Sequence, residues 1–597
     1  MCRIAGIFDP QLTQHPEALL RMRDSMRHGG PDDAGIYQDP TFPLILGHRR
    51  LSIIDLSPAG HQPMQELQSD CWIVFNGEIY NFQDLRASLQ QLGHHFQSKT
   101  DTEVILKAYQ QWGTEAFERF NGMFAFALLD RKQGALYLVR DHAGIKPLYY
   151  HQQGEQLIFA SEVRAFKALK PDWPENPDWR SFFLSFGHLP EPVTTLKDVR
   201  PLEPGFYYHS DLYTRQGTLH RYQPERFSGP VIDQLEDAIA AVRQSLEQSV
   251  QRQLVSDVPL GLFLSGGLDS SVLTLAAQAI LKDQLRTTSI NFKEQAYSEQ
   301  AFQEMVVQRC GSQHQPFTLG PDTFEEGFED AMQAMDQPSN DGFNTYFVCK
   351  YARQSGLTVA LSGLGADELL GGYPSFGYNR FVSPLRTIPG SILRQAKRAR
   401  KQALKKVAFL SLPGPVGEYL FYRGLFLPDS VAHITGQQES RIWDLLTEFA
   451  ENAPAMPETN GNRVSQIEQE YYMRNQLLKD TDAMSMWHSL EVRVPYLDKA
   501  FLQTMAQISP ALKFQLPQKK ELLVRAFQQE LPEAVWKRPK MGFTFPFAEW
   551  FKHSERLLGA QNGLVPWREL FLSGKLSWAR LWVLYLSTEP GLMHGWD

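Results

Sequence analysis

Cysteine is scarce in this chain of 597 residues: only Cys2, Cys71, Cys310 and Cys349 occur, widely spaced and without paired-ligand spacing for zinc. That argues against a disulfide scaffold or a zinc ribbon and suits a reducing compartment. Long hydrophobic runs are missing too, so no membrane span is expected. The N-terminus, Met-Cys-Arg-Ile-Ala-Gly, lacks the charged and apolar regions of a signal peptide. Positive charge is not in excess: a formal net charge of -8 gives no global attraction to nucleic acid or an anionic membrane. These absences leave a cytoplasmic enzyme as the natural class. What is present agrees with it, since 43% hydrophobic and 21% charged residues make a globular composition. The length exceeds a single ordinary core, so two domains or more are expected.

Residues 1–210 read as short β segments punctuated by Asp, Gly, Pro and Asn, among them Ile4–Phe8, Leu44–Leu46, Trp72–Phe75, Met123–Leu128 and Ala135–Val139. Residues 101–112 have helical spacing behind an acidic, Thr-containing start. The expectation is an α+β sandwich of antiparallel sheets with a few covering helices. From about residue 235 long helical stretches such as Leu235–Leu254 alternate with short apolar strands at Leu260–Leu264, Thr287–Phe292 and Leu357–Leu361. That alternation predicts a parallel sheet in an α/β domain over 235–597. The polar, turn-rich stretch 210–234 is placed as the linker, and about 377–465 as a helical insertion. Within it, Arg386, Arg394, Lys397, Arg398, Arg400, Lys401, Lys405 and Lys406 occur with no acidic residue between 386 and 406. Either this is a solvated helical surface or it contacts an acidic partner or membrane surface.

Cys2 becomes the first residue once Met1 is removed. Its free α-amine, with a pKa of about 8, then stands beside the thiol, so one residue supplies nucleophile and base. A second-position cysteine alone says little, but its companions say more. MCRIAGIF is followed in order by RHGGPDDAG (27–35), GHRRLSIIDL (47–56), FNGEIYN (75–81), SKTDTEVI (98–105), GMFAFALLD (122–130) and RDHAGIKPLYY (140–150). Together they closely resemble the glutaminase domain of class II amidotransferases, an N-terminal-nucleophile (Ntn-hydrolase) fold. The resemblance implies that Cys2 attacks the side-chain amide of glutamine, forming a thioester and releasing ammonia. Asn76 and the backbone N–H of Gly77 would form the oxyanion hole. Arg50 would hold the α-carboxylate of glutamine by a bidentate pair, and Glu78 and Asp101 its α-amino end. Gly29 departs from the family, which usually has Arg there.

A second constellation begins at Ser265-Gly-Gly-Leu-Asp-Ser270, after the apolar LGLFL and before the helical SVLTLAAQAIL. Glycines let the backbone approach a phosphate, and a helix N-terminus favours negative charge. Asp269 is the carboxylate suited to magnesium on a pyrophosphate. No GK[ST] follows, which excludes a Walker loop. VALSGLGADELLGGY (359–373) repeats the strand and Ser-Gly turn and adds an Asp-Glu pair, at a strand end where α/β sheets place ligands. The first loop resembles that of ATP pyrophosphatases, of the adenine nucleotide α-hydrolase fold. Both halves together resemble the glutamine-hydrolysing asparagine synthetase family. By that resemblance, Ser265, Gly266, Gly267, Asp269 and Ser270 hold ATP, Ser362 and Gly363 contact the adenylate, and Ile290 flanks adenine. Asp269 and Asp367 would share Mg2+. Lys520, or its neighbour Lys519, would stabilise charge on the phosphate. The implied reaction adenylates a carboxylate, carries ammonia from Cys2 through an internal tunnel, and releases an amide, AMP and pyrophosphate. Glutamine, ATP and a carboxylate acceptor are the expected partners, without nucleic acid; a homodimer is compatible with the reading and not specified by it.

Two departures concern the acceptor. Leu364 stands where asparagine-forming members usually carry Glu or Asp, a group able to take a proton from attacking ammonia. In MDQPSNDGFNTYFVCK (335–350), Asn340 stands near where the family has an Arg that binds aspartate's carboxylate, so both charge and bidentate geometry are lost. Either Asp336, Asp341 or Asp367 meets these roles, or the acceptor is another acid, on a sugar, peptide or secondary metabolite, with the insertion as wall or lid.

Overall fold

The computed structural model describes residues 2–224, 229–454, 456, 460–539, 541–542, 544–559 and 564–588. Met1, parts of the expected linker (225–228) and insertion (455, 457–459), and residues 540, 543, 560–563 and 589–597 lie outside them.

In the first half the strands are β1 (Arg3–Phe8), β2 (Asp33–Gln38), β3 (Leu44–Arg50), β4 (Met64–Glu66), β5 (Cys71–Ile79) and β6 (Gly122–Asp130). They continue as β7 (Ala135–Arg140), β8 (Tyr149–Gln153), β9 (Gln156–Ala160), β10 (Arg200–Pro201), β11 (Phe206–Asp211) and β12 (Gly217–Arg221). Two antiparallel sheets result, ordered β10-β8-β9-β1-β3-β2 and β12-β11-β7-β6-β5-β4. Period-two alternation explains how they stack. On β6, Ala125, Ala127 and Leu129 face the other sheet and meet Ile4 and Phe8 of β1. Phe124, Phe126 and Leu128 face the opposite way, onto Val104, Ile105 and Ala108 of the helix Asp101–Trp112. With Ala5 and Ile7 of β1 packed on the helix Pro16–Asp24, both sheets are covered on both faces, which is why β1 and β6 are buried along their whole length.

The second sheet extends into the stretch read as linker. β12 pairs with β11 from Phe206↔Arg221 to Ser210↔Gly217. All five residues of β12 are exposed on this edge strand, so it has no apolar alternation by which sequence could reveal it.

The second half carries β13 (Leu260–Phe263), β14 (Arg286–Phe292), β15 (Gln313–Leu319), β16 (Val359–Leu361) and β17 (Glu491–Arg493) in one parallel sheet, ordered β15-β14-β13-β16-β17. Helices bury both faces: Leu262 and Leu264 pack with Val242 and Leu246 of the helix Leu235–Gln253, whereas Ile290 and Phe292 enter a second core. That second core also takes Phe409, Tyr419 and Trp443 from 377–465 and Trp179 and Phe183 from the first half.

The halves meet through an apolar seam and buried charges. Leu51, Ile53, Met123 and Ile145 pack against Val359, Met486, Val494 and Leu497. Beside it, Asp482 accepts from Arg3 Nη1 at 2.8 Å and from Lys146 Nζ at 2.9 Å, all three side chains being almost fully buried.

Candidate active sites

The strand pairing of β5 with β6 places Asn76, Gly77 and Glu78 beside Cys2, the residue just before β1. The Cys2 backbone nitrogen, which becomes the α-amine when Met1 is absent, donates to Asn76 Oδ1 at 3.1 Å. Asn76 is fully buried, and its Nδ2 has no hydrogen-bond partner among the described residues. A buried amide donor left open beside a thiol is what an incoming oxyanion needs. Gly77 cannot be another residue: opposite Phe124, a Cβ would lie 2.1 Å from the Met123 carbonyl oxygen. Burial pushes the Cys2 thiol above its ordinary pKa, while the Arg50 guanidinium acts in the opposite direction. Arg50, at the end of β3, donates to the carbonyls of Ser57 at 3.1 Å and Ile54 at 3.4 Å, and to Asp55. Its guanidinium is therefore gripped by the 51–60 loop close to Cys2.

Asp101 opens its helix behind the Thr100 cap, whose Oγ1 accepts from Glu103 N, and its own Oδ2 accepts from Ile79 N at 2.9 Å. Glu78 Oε1 lies 3.5 Å from Arg493 Nη2, and Arg493 Nε donates to Glu491 Oε1 at 2.6 Å. Glu78 and Glu491 thus share one guanidinium, with the Asp101 carboxylate buried near both. Burial, and next the neighbouring Glu491, raise Glu78 well above the usual carboxylate range. Burial raises Asp101 to about 6. With one guanidinium for three carboxyl groups, the cluster favours an incoming positive charge such as the ammonium of an amino acid. Glu491 and Arg493 come from β17, in the other half of the chain. Sequence inspection gave them no role; their one signal is a charged pair alternating within an apolar strand.

The second constellation lines a cavity of about 820 Å³ at the ends of β13, β14 and β16. It contains Ser265, Gly267, Asp269, Ser270, Ile290, Ser362, Gly363, Leu364, Asp367, Lys519 and Lys520. Gly266 does not line it; there φ is +81°, and its carbonyl accepts from Arg538 Nη2 at 3.0 Å. The loop is pinned by its own serines, with Ser265 Oγ 3.0 Å from Ser270 Oγ and Ser271 Oγ donating to the Gly267 carbonyl at 2.7 Å. Lys520 Nζ donates to both oxygens of Asp269 at 2.7 Å and pairs with Asp367. Lys519 Nζ instead reaches the Gly372 carbonyl, at 3.4 Å. Burial acts to lower the Lys520 ammonium, but the two carboxylates outweigh it and hold its pKa above the ordinary value.

Glu368, like Glu491 and Arg493, has a place in the site that the sequence pattern does not reveal. It is almost fully buried, lines the cavity and accepts from Tyr373 OH at 2.8 Å. Burial, then the charge of Asp367, push its carboxyl to about 7. Leu364 touches both the cavity and the apolar seam. Asn340 lies elsewhere: its Oδ1 accepts from Gln476 Nε2 at 2.6 Å and its N–H donates to Gly187 O at 2.8 Å. Asp336 is also engaged away from the cavity, accepting from the backbone N–H groups of Val163 and Arg164 at 2.8 and 2.9 Å. Asp341 accepts from Asn344 Nδ2 at 2.9 Å, and burial raises its carboxyl to about 6.

A covered double antiparallel sheet with a buried thiol at the second residue, joined to a parallel sheet with a pyrophosphate-type loop, defines a glutamine amidotransferase fused to an ATP-using ligase. The family comparisons agree. Residues 1–223 match the glutamine amidotransferase domain family, and residues 241–562 match the asparagine synthase family. The chain is 32% identical over 576 residues to the glutamine-hydrolyzing asparagine synthetase 1 of Bacillus subtilis (strain 168), covering 93% of this chain and 88% of that one. It is 31% identical over 587 residues to a putative glutamine-hydrolyzing asparagine synthetase of Mycobacterium tuberculosis (strain ATCC 25618 / H37Rv), with the same coverages of 93% and 88%. With the asparagine synthetase B of Escherichia coli (strain K12) it shares 33% identity over 399 residues, covering 63% of this chain and 65% of that one. The chain belongs to the glutamine-hydrolysing asparagine synthetase family, whose members are ATP-dependent carbon–nitrogen ligases with glutamine as nitrogen donor. Among the described residues no helix is long and apolar enough to cross a membrane.

Proposed function

We propose that the chain makes asparagine from aspartate, glutamine and ATP through an acyl-adenylate. The observation that carries this reading is the apolar seam, which runs from Leu51, whose carbonyl is 4.0 Å from Cys2 Sγ, to Leu364 in the cavity wall. Ammonia freed in water at neutral pH is protonated and loses its nucleophilicity; an apolar path keeps it neutral.

At the first site the Cys2 α-amine takes the thiol proton and the sulfur attacks the glutamine amide. Asn76 Nδ2 and the Gly77 N–H receive the oxyanion, Arg50 orients the α-carboxylate, and Glu78 and Asp101 hold the ammonium. Collapse of that adduct breaks the C–N bond, the α-amine returning its proton to the leaving nitrogen as ammonia departs, and water then hydrolyses the thioester to glutamate and free thiol. At the second site the loop from Ser265 to Ser270 holds the pyrophosphate of ATP, with Ile290 beside adenine and Ser362 and Gly363 at the adenylate. The two carboxylates Asp269 and Asp367 already converge on one cation, Lys520 Nζ, a hard-oxygen pair that fits Mg2+ shared with phosphate oxygens. Mg2+ there would neutralise charge on the departing pyrophosphate. Lys520 follows the phosphate charge as it develops. Glu368, poised near neutrality in the same cavity, takes the proton that attacking ammonia must shed, which Leu364 cannot do.

The test is release of AMP and pyrophosphate across candidate acceptors, aspartate first, then sugar, peptide and secondary-metabolite acids. Aspartate-dependent AMP with asparagine as product supports the reading. AMP formed only with another acid moves the acceptor, and ADP with phosphate overturns the adenylation step.

A further inference from the structure

The basic stretch of the insertion has no task in the chemistry above. From Leu369 to Gly417 the chain carries nine cations and not one Asp or Glu, although its formal net charge is -8. The nine are Arg380 and the eight basic residues between 386 and 406. Charge is therefore segregated: a molecule without global attraction to an anionic surface concentrates positive charge on one lobe.

The lobe folds around a small core of its own. Val382 of the helix Ser375–Leu385, Leu393 of the helix Gly390–Gln395 and Leu410 of the short helix Lys406–Ser411 are buried together there. Bringing these residues inward leaves other large apolar side chains outside: Tyr378, Phe381, Ile392 and Leu404 are each 49–59% exposed. Among the cations, Arg386 pairs with Glu418 and Lys397 with Glu439, while the Arg394 guanidinium carbon lies 4.7 Å from the centre of the Trp443 ring. Arg380, Arg398, Arg400 and Lys401 are exposed and have no ion pair among the described residues. The Arg380 guanidinium carbon sits 4.7 Å from the centre of the Phe381 ring, so cation and exposed apolar group stand side by side.

Exposed cations alone make a solvated face, and single exposed apolar residues are ordinary. Interleaved on one lobe, they match a surface with negative charge outside and hydrocarbon beneath. An acidic protein face supplies the charge without the hydrocarbon. We propose that this lobe docks the protein peripherally on an anionic lipid bilayer. Arg398, Arg400 and Lys401 meet the lipid phosphates, and Phe381 and Ile392 enter the boundary between headgroups and acyl chains. The docking does not depend on which acid is amidated.

Flotation of the full chain is measured with vesicles of phosphatidylcholine alone and with vesicles of equal parts phosphatidylcholine and phosphatidylglycerol. Wild-type protein is expected to float with the anionic vesicles only, and to be released as salt rises. The triple variant Arg398→Gln, Arg400→Gln, Lys401→Gln is expected to bind roughly 100-fold more weakly, about fivefold for each cation near a charged membrane surface. The double variant Phe381→Ser, Ile392→Ser keeps every charge and is expected to bind about tenfold more weakly. All five side chains are exposed, so melting temperature and glutaminase activity should stay at their wild-type values. Failure of the wild type to float, equal flotation with both vesicle types, or unchanged binding in either variant overturns the proposal. If the triple variant alone loses binding and polyglutamate displaces the wild type, the lobe faces an acidic protein and not a bilayer. A wild-type dimer in light scattering that the double variant lacks shows a second copy covering the apolar residues, and overturns the lipid assignment likewise.

Discussion

Cys2, Asn76 and Glu368 each show one polar group made useful by burial. Burial holds the Cys2 thiol above its ordinary pKa, so on the proposed reading its attack would depend on the adjacent α-amine rather than on a standing thiolate. Cys2→Ala should therefore abolish glutamine-driven amide synthesis while ammonia-driven synthesis continues; loss of both in a folded variant would contradict two separate sites. Glu368 yields a pH prediction. Its carboxyl, raised to about 7 by burial and Asp367, accepts a proton only above that value. At constant free ammonia, kcat for ammonia-driven synthesis should climb as pH rises through 7, and Glu368→Gln should be slow and lack that climb. Identical profiles in the two proteins would remove Glu368 as the proton acceptor.

At the scale of elements, β5 does the positioning in the first half and two strand-end loops do it in the second. Gly77→Ala places a Cβ 2.1 Å from the Met123 carbonyl, so β5 must shift from β6. Overpacking of this kind costs about 1–3 kcal/mol. The shift also displaces the Gly77 N–H, so glutaminase kcat should fall about 100-fold or more, as when an oxyanion donor is lost. Calorimetry and a glutaminase assay check both, and unchanged melting with unchanged kcat would contradict the strand geometry.

Most of these elements were legible in the residues. Leu260–Leu264 and Thr287–Phe292 announce themselves as strands because both their faces are buried, and Thr100 with Glu103 marks a helix start. β12 was not legible, since an exposed edge strand carries no apolar pattern. Glu368 was visible beside Asp367, but its role depends on burial and on Tyr373, neither of which spacing reveals. Glu491 and Arg493 were invisible as partners of Glu78, because the contact joins residues some four hundred positions apart.

Across the whole molecule, the two sites are held in one register by buried charge and by the apolar seam. Arg3 and Lys146 share Asp482, and removing one member of such a buried network leaves uncompensated charge costing about 3–5 kcal/mol. On the proposed reading the rigidity matters because ammonia would follow the seam only while Leu51, Met123 and Ile145 stay packed on Val359 and Leu497. The central claim is that nitrogen released at Cys2 reaches an adenylated carboxylate without passing through water. The direct measurement supplies amide-15N glutamine, unlabelled ammonium in the buffer, ATP and aspartate labelled with 18O in its β-carboxylate, and reads the products by mass spectrometry. The account predicts 15N in the new amide despite the unlabelled ammonium, and one 18O in AMP for each amide formed. Unlabelled nitrogen in the amide, or 18O in phosphate with ADP as the nucleotide product, would contradict it.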